Sequence, residues 1–239
     1  MMSSTDISPT QSRKWESDII KLERVGLRYP RGAEVLKDVD LSLKAGSFTF
    51  VTGISGAGKS TLLQLINLNL RPSRGLVHLF GHDTSALPQK ELLVLKRRIG
   101  MVLQDFRLID HLSVFENVCL PLRVTGAVRE DYKQDVLELL HWVGLGRRIQ
   151  ALPATLSGGE KQRAAIARAV LAKPHILIAD EPTGNVDSQI SQRLLRLFIE
   201  LNRLGTTIII ATHDPNLIHS HTADVVKIEK GYLHKGIGS

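Results

Sequence analysis

A glycine-rich segment at residues 53–61 constrains this chain more than any other part of its sequence. It reads Gly-Ile-Ser-Gly-Ala-Gly-Lys-Ser-Thr and fits the pattern G-x-x-x-x-G-K-[ST], which is typical of nucleotide-binding loops. The preceding residues, 47–52, predict a buried strand, and apolar residues recur at helical spacing over 62–70. The sequence therefore predicts a phosphate-binding loop between a strand and a helix.

The residue types of this loop suit triphosphate chemistry. Its glycines let backbone amides turn inward around an anion, and the helix N-terminus that follows also favours negative charge. Lys59 would reach the β- and γ-phosphates, and the Ser60 hydroxyl would complete part of a Mg²⁺ shell. We expect the nucleotide to contact Gly53, Ser55, Gly56, Ala57, Gly58, Lys59, Ser60 and Thr61. The motif alone leaves kinases, GTPases and ATPases as alternatives.

The composition is that of an ordinary globular protein. With 239 residues, 43% of them hydrophobic, the chain can hold one large domain or two small ones. Its apolar runs are too short to cross a bilayer, and residues 1–11 are too polar for a signal peptide. Cys119 is the single cysteine, so no internal disulfide can form. We therefore expect a cytosolic protein, since that compartment is reducing.

The charge balance suggests an anionic partner. The chain has 31 Lys and Arg against 24 Asp and Glu, a net charge of +7. This balance suits nucleic acid or a negatively charged inner leaflet. No long basic run supports nucleic acid, and a solvated basic surface is the plain alternative.

The order of predicted elements is that of an α/β protein. Residues 1–18 are polar and aperiodic and predict a flexible tail; strands at 20–29 and 35–43 then form a hairpin. The helix after the phosphate loop should end near 71–72. Residues 87–156 are mainly helical and predict an inserted subdomain. Strands then alternate with helices, which favours a mostly parallel sheet covered on both faces.

Two adjacent carboxylates follow an apolar strand at 175–179. Strand ends are where ligands bind in parallel sheets. Because side chains alternate along a strand, Asp180 can join the Mg²⁺ shell while Glu181 faces the γ-phosphate and orients or deprotonates a water. The alternative is a polar strand end before a proline turn.

The segment Leu-Ser-Gly-Gly-Glu at 156–160 has two readings. Ser157 and Glu160 have the spacing of a helix capping box. The two glycines between them add nothing to a cap, but they allow close backbone approach to an anion. We expect the segment to cap its helix and to bind phosphate. Its distance along the chain from the loop leaves open whose nucleotide it meets.

Three segments together resemble the ATP-binding cassette (ABC) ATPase family: residues 53–61, 156–160 and 178–183. The resemblance extends over residues 19–236. It implies an α/β fold with a P-loop NTPase core, a mainly parallel sheet, an N-terminal antiparallel β subdomain and an inserted α-helical subdomain. It also implies that the ligands are ATP and Mg²⁺, and that two copies pair head to tail. Signature residues then serve the partner's nucleotide in trans; here they are Ser157, Gly158, Gly159 and Glu160.

Further positions match the family one at a time. Gln104 resembles the glutamine that touches Mg²⁺ and the attacking water, and His213 resembles the switch histidine at the γ-phosphate. Asp187 matches the acid of the loop that signals between the two sites, although Val186 stands where leucine is more usual. Tyr29 resembles the aromatic residue that stacks on adenine, a contact that any base can make.

The loops at 96–100, 104–108 and 179–185 are most similar to the cell-division group of this family. That resemblance implies an ATPase on the cytoplasmic face of the inner membrane, acting with the integral membrane protein FtsX, and possibly the divisome, to control cell-wall hydrolysis. The alternatives are ATPases of lipoprotein-releasing or macrolide-export systems, and a soluble nucleic-acid-associated member. We expect no nucleic acid, because the zinc cysteines, coiled coil or second cassette of such members are missing from the sequence. A regulatory nucleotide binder without turnover is opposed by the presence of both Asp180 and Glu181.

Overall fold

The computed structural model describes residues 18–184 and 186–236. In chain order the elements are β1 (Asp18–Arg28), β2 (Glu34–Lys44), β3 (Phe48–Thr52), α1 (Lys59–Ile66), β4 (Arg74–Leu79), β5 (His82–Asp83), α2 (Gln89–Lys96), β6 (Ile99–Val102), α3 (Val114–Val124), α4 (Arg129–Trp142), a 3-10 turn (Pro153–Thr155), α5 (Gly158–Leu171), β7 (Ile176–Asp180), α6 (Ser188–Arg203), β8 (Thr207–Ala211), α7 (Pro215–His219), β9 (Asp224–Glu229) and β10 (Tyr232–Lys235).

A six-stranded sheet forms the centre of the molecule, with strand order β10-β9-β3-β8-β7-β6. All of its neighbouring strands are parallel except β10, which pairs antiparallel with β9. Every residue of β7 and β8 is buried, because helices cover both faces of a parallel sheet. The carboxyl ends of β3 and β7 lie on either side of β8, so this topology brings the phosphate loop and the predicted carboxylates to one edge.

A second, antiparallel sheet has the order β2-β1-β4-β5; β1 and β2 precede the phosphate loop in the chain, and β4 and β5 follow α1. β1 and β2 form the predicted hairpin, with Arg28 opposite Glu34 beside the turn. The predicted tail at 1–18 lies outside the described residues except for Asp18, which pairs with Lys44 at the start of β1. The predicted architecture, a parallel core with an N-terminal antiparallel sheet, is confirmed.

Helices α3, α4 and α5 pack around their own hydrophobic core. The central residues of that core are fully buried: Val114, Val118, Val136, Leu140, Leu145, Ala164 and Ala167. The predicted boundaries of the inserted subdomain, 87–156, need a correction at the start. β6 lies inside that range yet pairs in parallel with β7, and so belongs to the central sheet. Four residues are too few for a periodic strand signal between helical segments.

The first helix also ends earlier than its apolar spacing predicts. α1 stops at Ile66, and Leu68 has a φ of 57°, in the left-handed region that ends a helix. Leu68 and Leu70 lie beyond the end of the helix and pack, partly buried, against the hydrophobic core that α1 shares with the two sheets. In the described part of the chain, no helix is long and apolar enough to cross a membrane.

Candidate active site

The phosphate loop occupies residues 53–58, between the end of β3 and the start of α1. Gly53 has a φ of 148°, and a Cβ there would lie 2.5 Å from the carbonyl oxygen of Ile228, so no larger residue fits. Gly58, with a φ of 110°, precedes the first residue of α1 and provides no side-chain cap. The first amides of α1 therefore have no side-chain partner from the capping position, which leaves them to an anion.

Lys59 folds back over the loop that precedes it. Its ammonium group donates hydrogen bonds to the carbonyl oxygens of Gly53 at 2.8 Å and Ile54 at 3.3 Å. It also lies 3.9 Å from Oε1 of Glu181, although only 9% of the lysine side chain is exposed. A buried ammonium with neutral partners and one distant carboxylate is a strong attractor for an anion.

Asp180 is the last residue of β7 and is buried at the edge of the sheet. Burial raises the pKa of its carboxyl group, and a hydrogen bond from the Ser60 hydroxyl opposes that rise. The Glu181 charge also raises this pKa, whereas the Lys59 ammonium lowers it. The predicted pair of metal-binding oxygens, from Ser60 and Asp180, is thus in direct contact.

Glu181 occupies the position between Lys59 and His213. Its Oε1 accepts a hydrogen bond from the imidazole Nδ1 of His213 at 2.8 Å. Its backbone is in the left-handed region, with a φ of 49°, and its amide donates to the carbonyl of Ala211 at 2.9 Å. The next strand end, on β8, therefore helps to turn Glu181 out of the sheet. The sequence predicted Glu181 and His213 at one phosphate, and the structure places them together.

Tyr29 and Thr61 connect the antiparallel sheet to the loop. The Tyr29 hydroxyl lies 3.2 Å from Oγ1 of Thr61, and the ring is partly exposed. This position beside the start of α1 is compatible with a ring that stacks on a base.

Gln104 and Asp187 lie on the segments that follow β6 and β7. Gln104 is exposed two residues beyond the end of β6, the strand next to Asp180 in the sheet. Asp187 caps α6, because its side chain accepts the amide hydrogen of Ile190 at 2.9 Å. Gln104 is predicted to touch Mg²⁺ and the attacking water, and Asp187 to signal between two sites; both roles stay predictions.

The predicted capping box at 156–160 is confirmed. Ser157 accepts the amide hydrogen of Glu160 at 3.2 Å, and the carboxylate of Glu160 accepts that of Ser157 at 2.8 Å. The pKa of Glu160 is lowered by that backbone bond and by Arg148, whose guanidinium lies 3.0 Å away. Gly158 and Gly159, in the first turn of α5, have no side chain to block an approaching anion.

Comparisons with known proteins agree with this geometry. Residues 36–184 match the family model described as ABC transporter. The chain is 44% identical over 220 residues to the cell division ATP-binding protein FtsE of Escherichia coli (strain K12), covering 92% of this chain and 99% of the relative. It is 38% identical over 215 residues to the protein of that name from Bacillus subtilis (strain 168), covering 90% and 94%.

This chain belongs to the ABC transporter family of ATPases.

Solved structures of ABC cassettes have the same fold. The dimeric bacterial ABC transporter cassette MJ0796 superposes on this cassette with a TM-score of 0.86 and 37% identity, covering 92% of this chain and all of that one. A dimer of MJ0796 in a post-hydrolysis state, bound to ADP and phosphate, gives a TM-score of 0.85 at 35% identity. The cassette is therefore an ATP-binding protein with the fold that its motifs indicated.

Two side chains near this site were not singled out from the sequence of the cassette. Gln162 donates a hydrogen bond to the carbonyl oxygen of Glu181 at 3.2 Å, and Arg168 donates to the carbonyls of Phe106 and Arg107. All of these bonds join residues far apart in the chain. The sequence signal for them is weak, because Gln162 and Arg168 lie in a helix whose small apolar residues dominate its pattern.

Proposed function

We propose that this chain is the ATP-hydrolysing subunit of a membrane-associated complex that acts in cell division. The observation that carries the proposal is the convergence on Glu181, whose Oε1 lies 2.8 Å from His213 and 3.9 Å from Lys59 at the phosphate loop. A carboxylate at this position can act as the base for a water that attacks the γ-phosphate. A nucleotide binder without turnover would not need this arrangement.

ATP would be held by the loop at 53–61 and by Tyr29. The amides of the loop and of α1 face the phosphates, Lys59 neutralises their charge, and Tyr29 stacks on the base. When water attacks, Glu181 takes its proton, a bond forms between the water oxygen and the γ-phosphorus, and the bond to the ADP oxygen breaks. His213 holds Glu181 and contacts the γ-phosphate.

A Mg²⁺ ion fits the same site. Mg²⁺ takes few protein oxygens and completes its shell with phosphate and water. Ser60 would supply a hydroxyl and Asp180 a carboxylate, and these two groups are hydrogen-bonded to each other. Gln104 would add an amide oxygen, in part through water. Within residues 18–184 and 186–236, no group of three or more His, Cys, Asp or Glu side chains could hold a metal by itself. A mixed site shared with the nucleotide suits that finding, because bound Mg²⁺ neutralises phosphate charge and would also relieve the buried carboxylate of Asp180.

The active form would be a dimer of two copies. Ser157, Gly158 and Gly159 would contact the partner's ATP, with Glu160 holding the cap, and Asp187 would signal between the sites. The support is the exposed N-terminus of α5 and the likeness to a cassette whose solved structure is described as dimeric. ATP bound to both chains favours the closed dimer, and loss of phosphate reopens it.

The membrane partner would be FtsX, with the cassette at residues 19–236 lying on the cytoplasmic face of the inner membrane. Two relatives named as cell division ATP-binding protein FtsE share 44% and 38% identity over almost their full length, which supports this choice. The segment after Gln104 would transmit the closure of the dimer to FtsX. FtsX would in turn transmit it to the divisome. ATPases of lipoprotein-releasing and macrolide-export systems are the competing assignment.

Copurification tests the partner. The tagged chain is recovered from detergent-solubilised membranes of its own source, with Lys59→Met as a control that keeps the surface of the cassette. We expect FtsX to copurify with both the unsubstituted chain and Lys59→Met. Mg²⁺-dependent ATPase activity should be found only in the preparation of the unsubstituted chain. Recovery of a lipoprotein-releasing permease would contradict the cell-division role, and nucleic-acid-stimulated activity without any membrane protein would contradict the membrane role.

A further inference from the structure

Helix α5 contacts three functional points of this molecule. Its N-terminus is the capping box at Ser157, its second turn carries Gln162 and its third carries Arg168. Ser157 and Arg168 are eleven residues apart, so one rigid helix segment about 16 Å long connects these points. Most of the helix is buried, and it packs against α3 and β6.

Gln162 joins this helix to the predicted catalytic residue. Its side-chain amide donates to the carbonyl oxygen of Glu181 at 3.2 Å, at the residue whose φ is 49°. Gln162 is only 2% exposed, and among the described residues its Oε1 has no hydrogen-bond partner. Burying an unpaired carbonyl is costly, and an apolar side chain of similar length would avoid that cost. The amide is therefore better explained by its bond to Glu181 than by stability of the core.

Arg168 joins the same helix to the segment that follows Gln104. Its Nη1 and Nη2 donate to the carbonyl oxygens of Arg107 and Phe106, each at 2.6 Å. Both of those residues have left-handed backbones, with φ values of 44° and 57°. Two consecutive residues of this kind without glycine are unfavourable by themselves, so the guanidinium holds a turn that the segment would otherwise leave.

We propose that α5 couples the two ATP sites of the dimer, with Gln162 as the positioning residue for Glu181 and Arg168 as the positioning residue for the Gln104 segment. The inference rests on the proposed function, because it needs Ser157 to bind the partner's ATP. A nucleotide held at the N-terminus of α5 then sets the orientation of Glu181 in the other site through one helix. By reciprocity, ATP sensed at Gln104 moves the signature segment through Arg168.

Two substitutions separate these contacts. Gln162→Met keeps the length of the side chain and removes the donor to Glu181. Arg168→Lys keeps the charge, but one ammonium cannot reproduce the planar pair of bonds to two carbonyls. The matched controls are Asn202→Met, which removes an amide bonded to the carbonyls of Gly46 and Thr206 away from the site, and Arg203→Lys, in an exposed ion pair with Glu200.

The measurements are steady-state ATPase kinetics, ATP affinity of the dilute chain, and ATP-driven dimerisation in a Glu181→Gln background. For Gln162→Met we expect kcat to fall about tenfold, because a base that is held less well is less well aligned with its water, with ATP affinity and dimerisation unchanged. For Arg168→Lys we expect about tenfold more ATP to be needed for half-maximal dimerisation, again with unchanged affinity of the dilute chain. Both controls should behave like the unsubstituted protein.

Several results would overturn the proposal. Equal loss of kcat in Gln162→Met and Asn202→Met would show that Gln162 has only a structural role. Normal ATP-driven dimerisation of Arg168→Lys would contradict the proposed coupling through Arg168. If Gln162→Met is too unstable to purify, Arg168→Lys decides alone. Failure of the proposed function itself is distinguishable, because Glu181→Gln without any further change would then form no ATP-bound dimer.

Discussion

The imidazole of His213 donates a hydrogen bond from Nδ1 to Oε1 of Glu181 at 2.8 Å, and the two residues come from the ends of neighbouring strands. The His213 side chain is 75% exposed, whereas that of Glu181 is 16% exposed. The histidine is thus the solvent-facing member of the pair, and it limits the orientations that the carboxylate can adopt.

Removal of this imidazole should slow hydrolysis without preventing ATP binding. We expect His213→Ala to lower kcat by at least about tenfold, since an unheld base is less well aligned with water. Phosphate-release kinetics at saturating ATP measure this. If His213 acts through Glu181, the double variant with Glu181→Gln should be no slower than Glu181→Gln alone. If the losses of kcat in the two single variants multiply in the double variant, His213 does not act through Glu181.

The capping boxes of α3 and α5 allow a matched comparison of these two helices. Ser113 and Ser157 accept the amide hydrogen of the glutamate three residues on, each at 3.2 Å. Substitution of either serine by alanine should cost about 1 kcal/mol of unfolding free energy. Only Ser157→Ala should also weaken ATP-driven dimerisation, measured by light scattering, because only α5 would face the partner's nucleotide. Equal weakening by Ser113→Ala would contradict the trans role.

Asp180 should destabilise the nucleotide-free fold at neutral pH. Burial raises the pKa of this carboxyl above its unfolded value, so its stabilising contribution is present at low pH and is lost as the pH rises through the folded pKa. Asp180→Asn should therefore raise the Tm at pH 7, with a difference that shrinks as the pH falls below the unfolded pKa. It should also abolish Mg²⁺-dependent hydrolysis.

Asp83→Asn is the control, because the pKa of Asp83 is lowered whereas that of Asp180 is raised. Hydrogen bonds from Ser85 lower the pKa of Asp83, so this carboxylate stabilises the fold above its ordinary pKa. Asparagine there should not raise the Tm at pH 7. A Tm increase in Asp83→Asn equal to that in Asp180→Asn would remove burial as the cause.

Cys119 provides a probe of the helical subdomain. Burial raises the pKa of its thiol to about 11, and the residue is 1% exposed. At pH 8 only about one thiol in a thousand would be ionised, so alkylation of the folded protein should be very slow. Urea-unfolded protein should react rapidly at this single cysteine. Mass spectrometry measures the rate of alkylation. Fast labelling of the folded chain would show that α3 separates readily from α4 and α5.

The sequence predicted those parts of the site that local chemistry specifies. Gly53 to Thr61, Asp180 and Glu181 lie at strand ends, where short motifs and burial patterns indicate their surroundings. The Ser157–Glu160 capping box is equally local, because both partners lie in one turn.

Contacts between residues far apart in the chain could not be predicted from the sequence. Arg168 reaches carbonyls 61 and 62 residues away, and no periodicity marks a side chain that binds a backbone carbonyl. The predicted helical subdomain at 87–156 wrongly includes β6, because the four residues of this strand form a strand only by pairing with β7. The early end of α1 at Ile66 reflects the backbone of Leu68, which sequence spacing does not report.

We infer that ATP closes two copies of this chain and that Glu181 then supports hydrolysis. The most direct test is the mass of Glu181→Gln with ATP and Mg²⁺, measured by size exclusion with light scattering alongside its hydrolysis rate. We expect an ATP-bound particle of twice the 26.5 kDa chain mass and a rate reduced by about a hundredfold or more. A monomer at saturating ATP, or hydrolysis close to that of the unsubstituted protein, would contradict it.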